Sequence, residues 1–347
     1  PEPGGEMSGV LCFTSINYHY LAKARVLASS LKRFHPDWHF VLCVTDAMPD
    51  GGTLDLADEP FDELLITQEV LGDLGPGWFF KHDVVEVCTA VKGPLLEKFC
   101  DRGFDAIVYL DPDIAVFNPL QGLIEALERS DILLTPHQLE PDDQYYQIVD
   151  NEVCSLRHGI FNLGFVAIKP SAEGRRFARW WSARLTDFCV SDERLGLFVD
   201  QKWCDHVPVF FDGVKILRDP GYNVASWNLS RRKISIDRSG RILCNRKLLY
   251  FYHFTKLGLV GDAMTQRYAK DNIEVYELWS WYRRKVEDFA FDDLPDGWWA
   301  LGQFSNGAKI TSEQRRCYRD RPDLQTYFPD PYLAEGNSFY EWCGRNA

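Results

Sequence analysis

Residues 106–116 read AIVYLDPDIAV, and the rest of the chain can be placed by working outward from them. The five apolar residues at 106–110 are the strongest buried-strand signal in the sequence, since a strand covered on both faces reads as an unbroken apolar run. The run stops at Asp111-Pro112-Asp113 before IAVF resumes. Pro112 fixes its own φ and restricts the residue before it, so the chain turns here and both carboxylates can converge on one cation.

Upstream, residues 10–15 (VLCFTS) form a short apolar run followed by a polar loop. Tyr20, Ala24, Leu27, Ala28, Leu31 and Phe34 then recur at helical spacing until His35-Pro36 ends them. Residues 39–45 and 64–67 read as strands, and 83–100 as one helix with Val84, Val87, Cys88, Val91, Leu95 and Phe99 on a shared face. Downstream come a helix around 120–129, a strand at 131–135, a polar loop at 136–158, a strand at 160–169 (IFNLGFVAIK) and an amphipathic helix carrying Trp180 and Trp181. A last apolar strand, 248–255 (LLYFYHFT), carries His253. The loop at 136–158 is long for a compact domain, so it is expected to be a functional lid or partly disordered. The alternation predicts an α/β fold with a mixed, mainly parallel sheet flanked by helices. Ligands in open sheets of this kind bind beyond the carboxyl ends of strands, where Asp111 and Asp113 fall.

Composition narrows the function. Of 347 residues, 46% are hydrophobic and 14% aromatic, which excludes a disordered chain. A net charge of −13 argues against nucleic-acid binding, because any anionic ligand must be met by local positive charge or by a metal. No stretch is long and apolar enough for a membrane span, so the expected location is the cytoplasm, with peripheral attachment at the inner face of the membrane left open. The ten cysteines are scattered through apolar runs such as VLCFTS and FVLCVTD, where Cys acts as a small core hydrophobe; no zinc spacing is present. The opening PEPGGE is read as a cloning remnant and set aside. One catalytic domain is expected over 8–256. Residues 257–347 would form a C-terminal, helical and then aromatic-rich extension packed on it, with the acceptor site as one place for it to contribute.

An Asp-x-Asp alone is weak evidence, since two solvated carboxylates at a strand end are common. Here it is the only one in an acidic chain and it follows the most apolar strand. Hard carboxylate oxygens suit Mn²⁺ or Mg²⁺, which bind through one or two carboxylates plus substrate phosphates.

At this point the sequence resembles the GT-A glycosyltransferases, especially glycosyltransferase family 8, which includes glycogenin-like and bacterial lipopolysaccharide galactosyltransferase enzymes. VYLDPDIAVF is similar to that family's metal-binding strand, with Asp111 and Asp113 matching its DxD motif, and His253 in FYHFTK matches its late metal-ligating histidine. FNLGFVAIK resembles the segment whose Asn contacts the donor sugar, which implies Asn162. Asp200-Gln201 in LFVDQKWCD resembles the family's pair beside the reacting anomeric carbon. TSINYHY is similar to the nucleotide-binding loop, implying donor contacts from Thr14, Ser15, Ile16 and Tyr18. Lys92 falls where the family carries a basic residue near the donor, and Lys256 where it carries a phosphate contact. The ending HFTKLGLVGD departs from the family's Gly and Lys-Pro-Trp, and FSNGAKI, RRCYRD and FPDPY resemble tails of bacterial surface-polysaccharide glycosyltransferases.

The resemblance implies transfer of a sugar, with retention, from a nucleotide diphosphate donor such as a UDP-sugar to a glycan, lipid-linked or protein acceptor. No general base can be named, so inversion stays open. Two rival readings are carried forward: a catalytically silent sugar-nucleotide or glycan-binding module, and a haloacid-dehalogenase-type phosphatase. The second needs a late carboxylate four residues after Asp262, where Gln266 stands instead. Trp180, Trp181, Trp298 and Trp299 are read as packing residues.

Overall fold

The computed structural model describes residues 9–291 and 294–346. Residues 1–6, read above as a cloning remnant, and residue 8, where the catalytic domain was expected to begin, lie outside the described residues.

Seven strands form the central sheet. Five of them are β1 (Val10–Ile16), β2 (His39–Val44), β3 (Glu63–Ile66), β4 (Ala106–Leu110) and, after a short strand β5 (Ile114–Val116) that lies outside the sheet, β6 (Ile132–Pro136). The other two are β7 (Phe161–Ile168) and Val214–Ile216. Their spatial order is Val214–Ile216, β6, β7, β4, β1, β2, β3. Every neighbouring pair is parallel except those of β7, which runs antiparallel to both β4 and β6. The expected mixed, mainly parallel α/β sheet flanked by helices is therefore present.

Strand alternation divides the core in two. Leu11, Phe13, Ile107 and Tyr109 face one apolar cluster, while Val10, Cys12, Ala106, Val108 and Leu110 face the other. Both faces are covered, which is why AIVYL shows no polar alternation. All ten cysteines are free; Cys12, Cys43, Cys100, Cys189, Cys204 and Cys244 are buried as core residues, while Cys88, Cys317 and Cys343 are half-buried and Cys154 is exposed.

The helix expected over 83–100 forms as two abutting helices, Val84–Ala90 and Lys92–Phe99, with Val91 between them. Asp83 and Glu86 make a reciprocal capping box at the start. The second helix lies against Ala172–Phe188, and Gly93 permits the close approach, since a Cβ there would stand 2.8 Å from the Ser182 Cα. The segment 136–158 is not a structureless loop. It contains three consecutive helical stretches, Tyr145–Gln147, Ile148–Val153 and Cys154–His158. Its apolar residues point outward rather than to the core, so no core-facing periodicity marked the helix.

Two features position the site. First, β7 runs antiparallel, which brings its amino end beside the carboxyl end of β4: Leu110 pairs with Phe165, and the Asp111 N–H donates to the Gly164 carbonyl at 2.8 Å. Second, Phe251–His253 pairs antiparallel with β5, setting His253 opposite Ile114, and Phe254 N–H donates to the Asp113 carbonyl at 2.8 Å. The strand expected over 248–255 is thus shorter than its apolar run and pairs outside the main sheet.

Beyond it come helices Leu259–Ala269 and Ile273–Asp288, the second of which packs on Phe254, whose ring stacks on Tyr282 at 4.0 Å. The final segment packs around Phe80, which contacts Phe304, Tyr318, Tyr332 and Phe339. Among the described residues no helix is long and apolar enough to cross a membrane.

Asp46, at the end of β2, ties this last segment down. Its buried carboxylate accepts N–H bonds from Tyr18, Ala47 and Ala300. Burial nevertheless outweighs those bonds and lifts its pKa from 3.8 to about 6. A group with a raised folded-state pKa contributes stability that is complete below the unfolded value and is lost as pH rises through the folded one. Asp46 is therefore expected to cost up to about 3 kcal/mol of stability as pH rises from 4 to 6. Denaturation of wild type and Asp46→Asn across that range checks this, because the variant should gain on wild type as the pH rises; parallel curves would refute it.

Candidate active site

The carboxyl ends of β1 and β4 and the amino end of β7 open onto a cavity of about 660 Å³. Three candidate metal ligands stand together in its wall. Asp111, Asp113 and His253 each offer an atom within 4.8 Å of the others. His253 Nε2 is 2.9 Å from Asp113 Oδ1 and 3.7 Å from Asp111 Oδ2. The second ring nitrogen of His253, Nδ1, is buried without a hydrogen-bond partner among the described residues. Burial alone would push Asp113 up and His253 down, but each is overcome by the other's charge, so Asp113 lies below and His253 above its usual value.

Asp111 is oriented from behind. Its Oδ1 accepts from Tyr109 Oη at 2.6 Å and from Lys92 Nζ at 3.0 Å, which leaves Oδ2 as the oxygen not taken by these two donors. Lys92 also donates to Asp200 Oδ2 at 2.9 Å and to the Leu163 carbonyl at 3.2 Å, with the Tyr109 ring 4.2 Å beneath it. Its side chain is only 2% exposed. Burial would lower the Lys92 pKa, yet Asp111 and Asp200 outweigh it and hold the ammonium charged. Asp200 is raised by burial, with Lys92 opposing.

Of the sequence-derived candidates, Ser15, Ile16, Lys92, Asp111, Asp113, Asn162, Asp200, Gln201, His253 and Lys256 line the cavity. Thr14 and Tyr18 do not. Strand alternation turns Thr14 to the face opposite Ser15, and Tyr18 packs in the core with its N–H on Asp46. Asn162 does not merely bond the backbone at a strand edge: its Oδ1 also accepts from Asn223 Nδ2 at 3.0 Å, as well as from Gly164 N–H at 3.2 Å. Asp200 is not a helix cap, since its carboxylate goes to Lys92, while Gln201 Nε2 donates to the His158 carbonyl at 3.0 Å. Lys256 adopts a left-handed φ of 56° at the rim. Trp181 is fully buried in the core and donates to the Asp200 carbonyl, and Trp298 donates to the Ala47 carbonyl. Asp262, the residue on which the phosphatase reading depended, pairs with Arg283 on a helix and is not in the cavity wall.

Several lining residues were not foreseen: Tyr109, His137, Gln138, Gly164 and Trp227. The Trp227 ring stands edge-on to His253 at 5.3 Å and to His137 at 5.4 Å. Burial pushes the His137 pKa down to about 4, so its imidazole is neutral at physiological pH. The stretch GYNVASWN that carries Trp227 has no strand or helix periodicity, so nothing in its pattern marked it.

No protein-family model matches the chain. It is similar to two proteins of Bacillus subtilis (strain 168), both described as uncharacterized. YfnF is 26% identical over 189 residues, 52% of this chain and 59% of YfnF. YfnD is 26% identical over 181 residues, 51% of this chain and 55% of YfnD. The chain thus matches less than two thirds of the length of either relative. Among solved structures, the galactosyltransferase LgtC in complex with donor and acceptor sugar analogs aligns over 83% of this chain and 98% of its own, at 15% identity and a TM-score of 0.48. The glycosyltransferase GlyE of Streptococcus pneumoniae TIGR4 aligns over 82% and 63%, at 14% identity and a TM-score of 0.42. Likeness at this level is too weak to carry a function, which must come from the site.

Proposed function

We propose that the chain is a metal-dependent glycosyltransferase of the GT-A type, moving a sugar from a nucleotide diphosphate donor, a UDP-sugar in the first instance, to a glycan, lipid-linked or protein acceptor. The observation that carries the reading is the convergence of Asp111, Asp113 and His253 at the carboxyl end of β4, in the wall of a cavity large enough for such a donor. Two carboxylates and one imidazole fit Mn²⁺ better than Mg²⁺, because nitrogen is a poor ligand for the harder ion. When bound, the cation supplies Lewis-acid stabilisation of the charge on a departing nucleoside diphosphate.

Within this reading the β1 end of the cavity, with Ser15 and Ile16, takes the nucleotide. Asn162, Asp200 and Gln201 take the donor sugar, with Asp200 and Gln201 facing the reacting carbon and transfer proceeding with retention. Lys256 approaches the diphosphate from the opposite rim. Lys92 is assigned a positioning part rather than a donor contact: it holds the Asp111 and Asp200 carboxylates in one frame.

Calorimetric titration with UDP, GDP, CDP and dTDP, with and without Mn²⁺, tests the reading. One nucleotide is expected to bind only with the metal, and Asp113→Ala should weaken it at least about 100-fold, roughly 2.7 kcal/mol. If none of the four binds, the donor site does not exist. Saturable binding with no donor hydrolysis or transfer would instead favour a silent binding module.

A further inference from the structure

The side chain of Asn162 belongs to a chain of polar groups whose direction is set at both ends by backbone atoms that cannot change role. At one end the Gly164 N–H, which can only donate, stands 3.2 Å from Asn162 Oδ1. The same oxygen accepts from Asn223 Nδ2 at 3.0 Å, and Asn223 Nδ2 also donates to Thr135 Oγ1 at 2.9 Å. At the other end the Ile160 carbonyl, which can only accept, stands 3.2 Å from His137 Nδ1. The proton of the neutral imidazole is therefore on Nδ1 and its lone pair on Nε2, which lies 3.4 Å from Asn162 Nδ2. Asn223, Thr135 and Asn162 are buried, so water offers little alternative to these partners. Asn223 also holds a left-handed φ of 51°, a conformation that persists where the surroundings impose it. Were the Asn162 amide to turn over, Nδ2 would face the Gly164 N–H and Oδ1 would face the His137 lone pair. Two donors would meet at one end and two acceptors at the other, each left unsatisfied out of water.

We infer that His137 and Asn223 are positioning residues for the transferred sugar: together they lock the Asn162 carboxamide in one orientation, with both lone pairs of Oδ1 committed and one N–H left for an oxygen of the sugar. The inference rests on the reading of Asn162 as a contact to that sugar. A carboxamide has two N–H groups and two lone pairs. Gly164 and Asn223 take the lone pairs, and His137 takes one N–H. What remains for a ligand in the cavity that Asn162 and His137 both line is a single N–H. Asn162 can then donate and cannot accept, so the group it meets is a hydroxyl or ring oxygen with a lone pair to spare. An amide free to turn would serve either kind of group and would not discriminate between them. His137 acts here as a neutral acceptor, in keeping with the burial that holds its imidazole uncharged.

Two measurements on the full chain test this. Heteronuclear NMR of histidine-labelled protein reads the tautomer, with the His137 signals assigned by their loss in His137→Phe. A neutral ring protonated at Nδ1 is expected in wild type; a ring protonated at Nε2 would overturn the lock. Calorimetry in the presence of Mn²⁺ then compares the glucose and galactose esters of whichever nucleoside diphosphate binds with that nucleoside diphosphate alone. His137→Phe keeps a ring and removes the acceptor, while Asn223→Gly suits the left-handed φ and removes the donor. Each is expected to lower the ratio of sugar-nucleotide affinity to nucleotide affinity about tenfold, the scale of one hydrogen bond. A merely structural role would weaken both ligands together and leave the ratio where it was, and that result would overturn the proposal. Absence of nucleotide binding in wild type would strike the glycosyltransferase reading, and the sugar contact with it, while the tautomer still reports on the lock by itself.

Discussion

Gly164→Ala is expected to lower the affinity for Mn²⁺ about 100-fold or more while leaving the chain folded. A Cβ on this residue would stand 2.5 Å from His253 Cε1, 2.7 Å from His253 Nδ1 and 2.8 Å from Asn162 Oδ1. These atoms stand in a tightly packed wall, since His253 is 4% exposed and Asn162 8%, so the added methyl cannot be accommodated without displacing one of them. Repacking is therefore expected to move the imidazole, and the 2.9 Å approach of Nε2 to Asp113 is what gives way. Displacing groups that orient a metal ligand typically costs 10- to 100-fold in affinity, and here the ligand itself moves. Overpacking one methyl in a tight wall costs about 1–3 kcal/mol of stability, a minor part of what a domain can lose. Calorimetric Mn²⁺ titration beside a denaturation curve separates the two effects. Wild-type Mn²⁺ affinity in the variant would mean that His253 is not a ligand.

Lys92→Met should be the most destabilising conservative change near the site, at about 3–5 kcal/mol, because it leaves buried carboxylates without their counter-charge. The Lys92 side chain is 2% exposed and its ammonium bridges Asp111 and Asp200, the latter only 4% exposed. Methionine fills nearly the same volume, so the loss measures electrostatics rather than a cavity. Asp111 would keep its bond from Tyr109, whereas Asp200 would lose the only ion pair it makes among the described residues. Chemical denaturation at unchanged m-value reads the loss directly. A cost below about 1 kcal/mol would show that water reaches these carboxylates and that Lys92 is not what holds them.

The sequence made the sheet legible because a doubly covered strand such as AIVYL can be nothing but apolar, and it made the Asp-Pro-Asp turn legible because proline restricts its neighbours. It also showed Asp111, Asp113 and His253 as separate candidates. It could not show that the Lys92 ammonium is buried between the Asp111 and Asp200 carboxylates. That depends on two carboxylates, at 111 and 200, arriving on either side of one ammonium. That Thr14 and Tyr18 lie off the cavity wall while Ser15 and Ile16 lie on it was hidden for a related reason: a strand of seven buried residues carries no mark of which face opens onto the cavity.

What sequence alone determined about this protein is therefore its local order: which runs are strands, where the chain turns, and which residue types could bind a cation. The tertiary structure decided their company. The antiparallel run of β7 set Asn162 and Gly164 beside Asp111, and the pairing of Phe251–His253 with β5 carried His253 across to Asp113. Strand direction and partner choice are properties of packing over the whole chain. No local pattern encodes them, because a buried apolar strand satisfies its backbone equally well beside several partners.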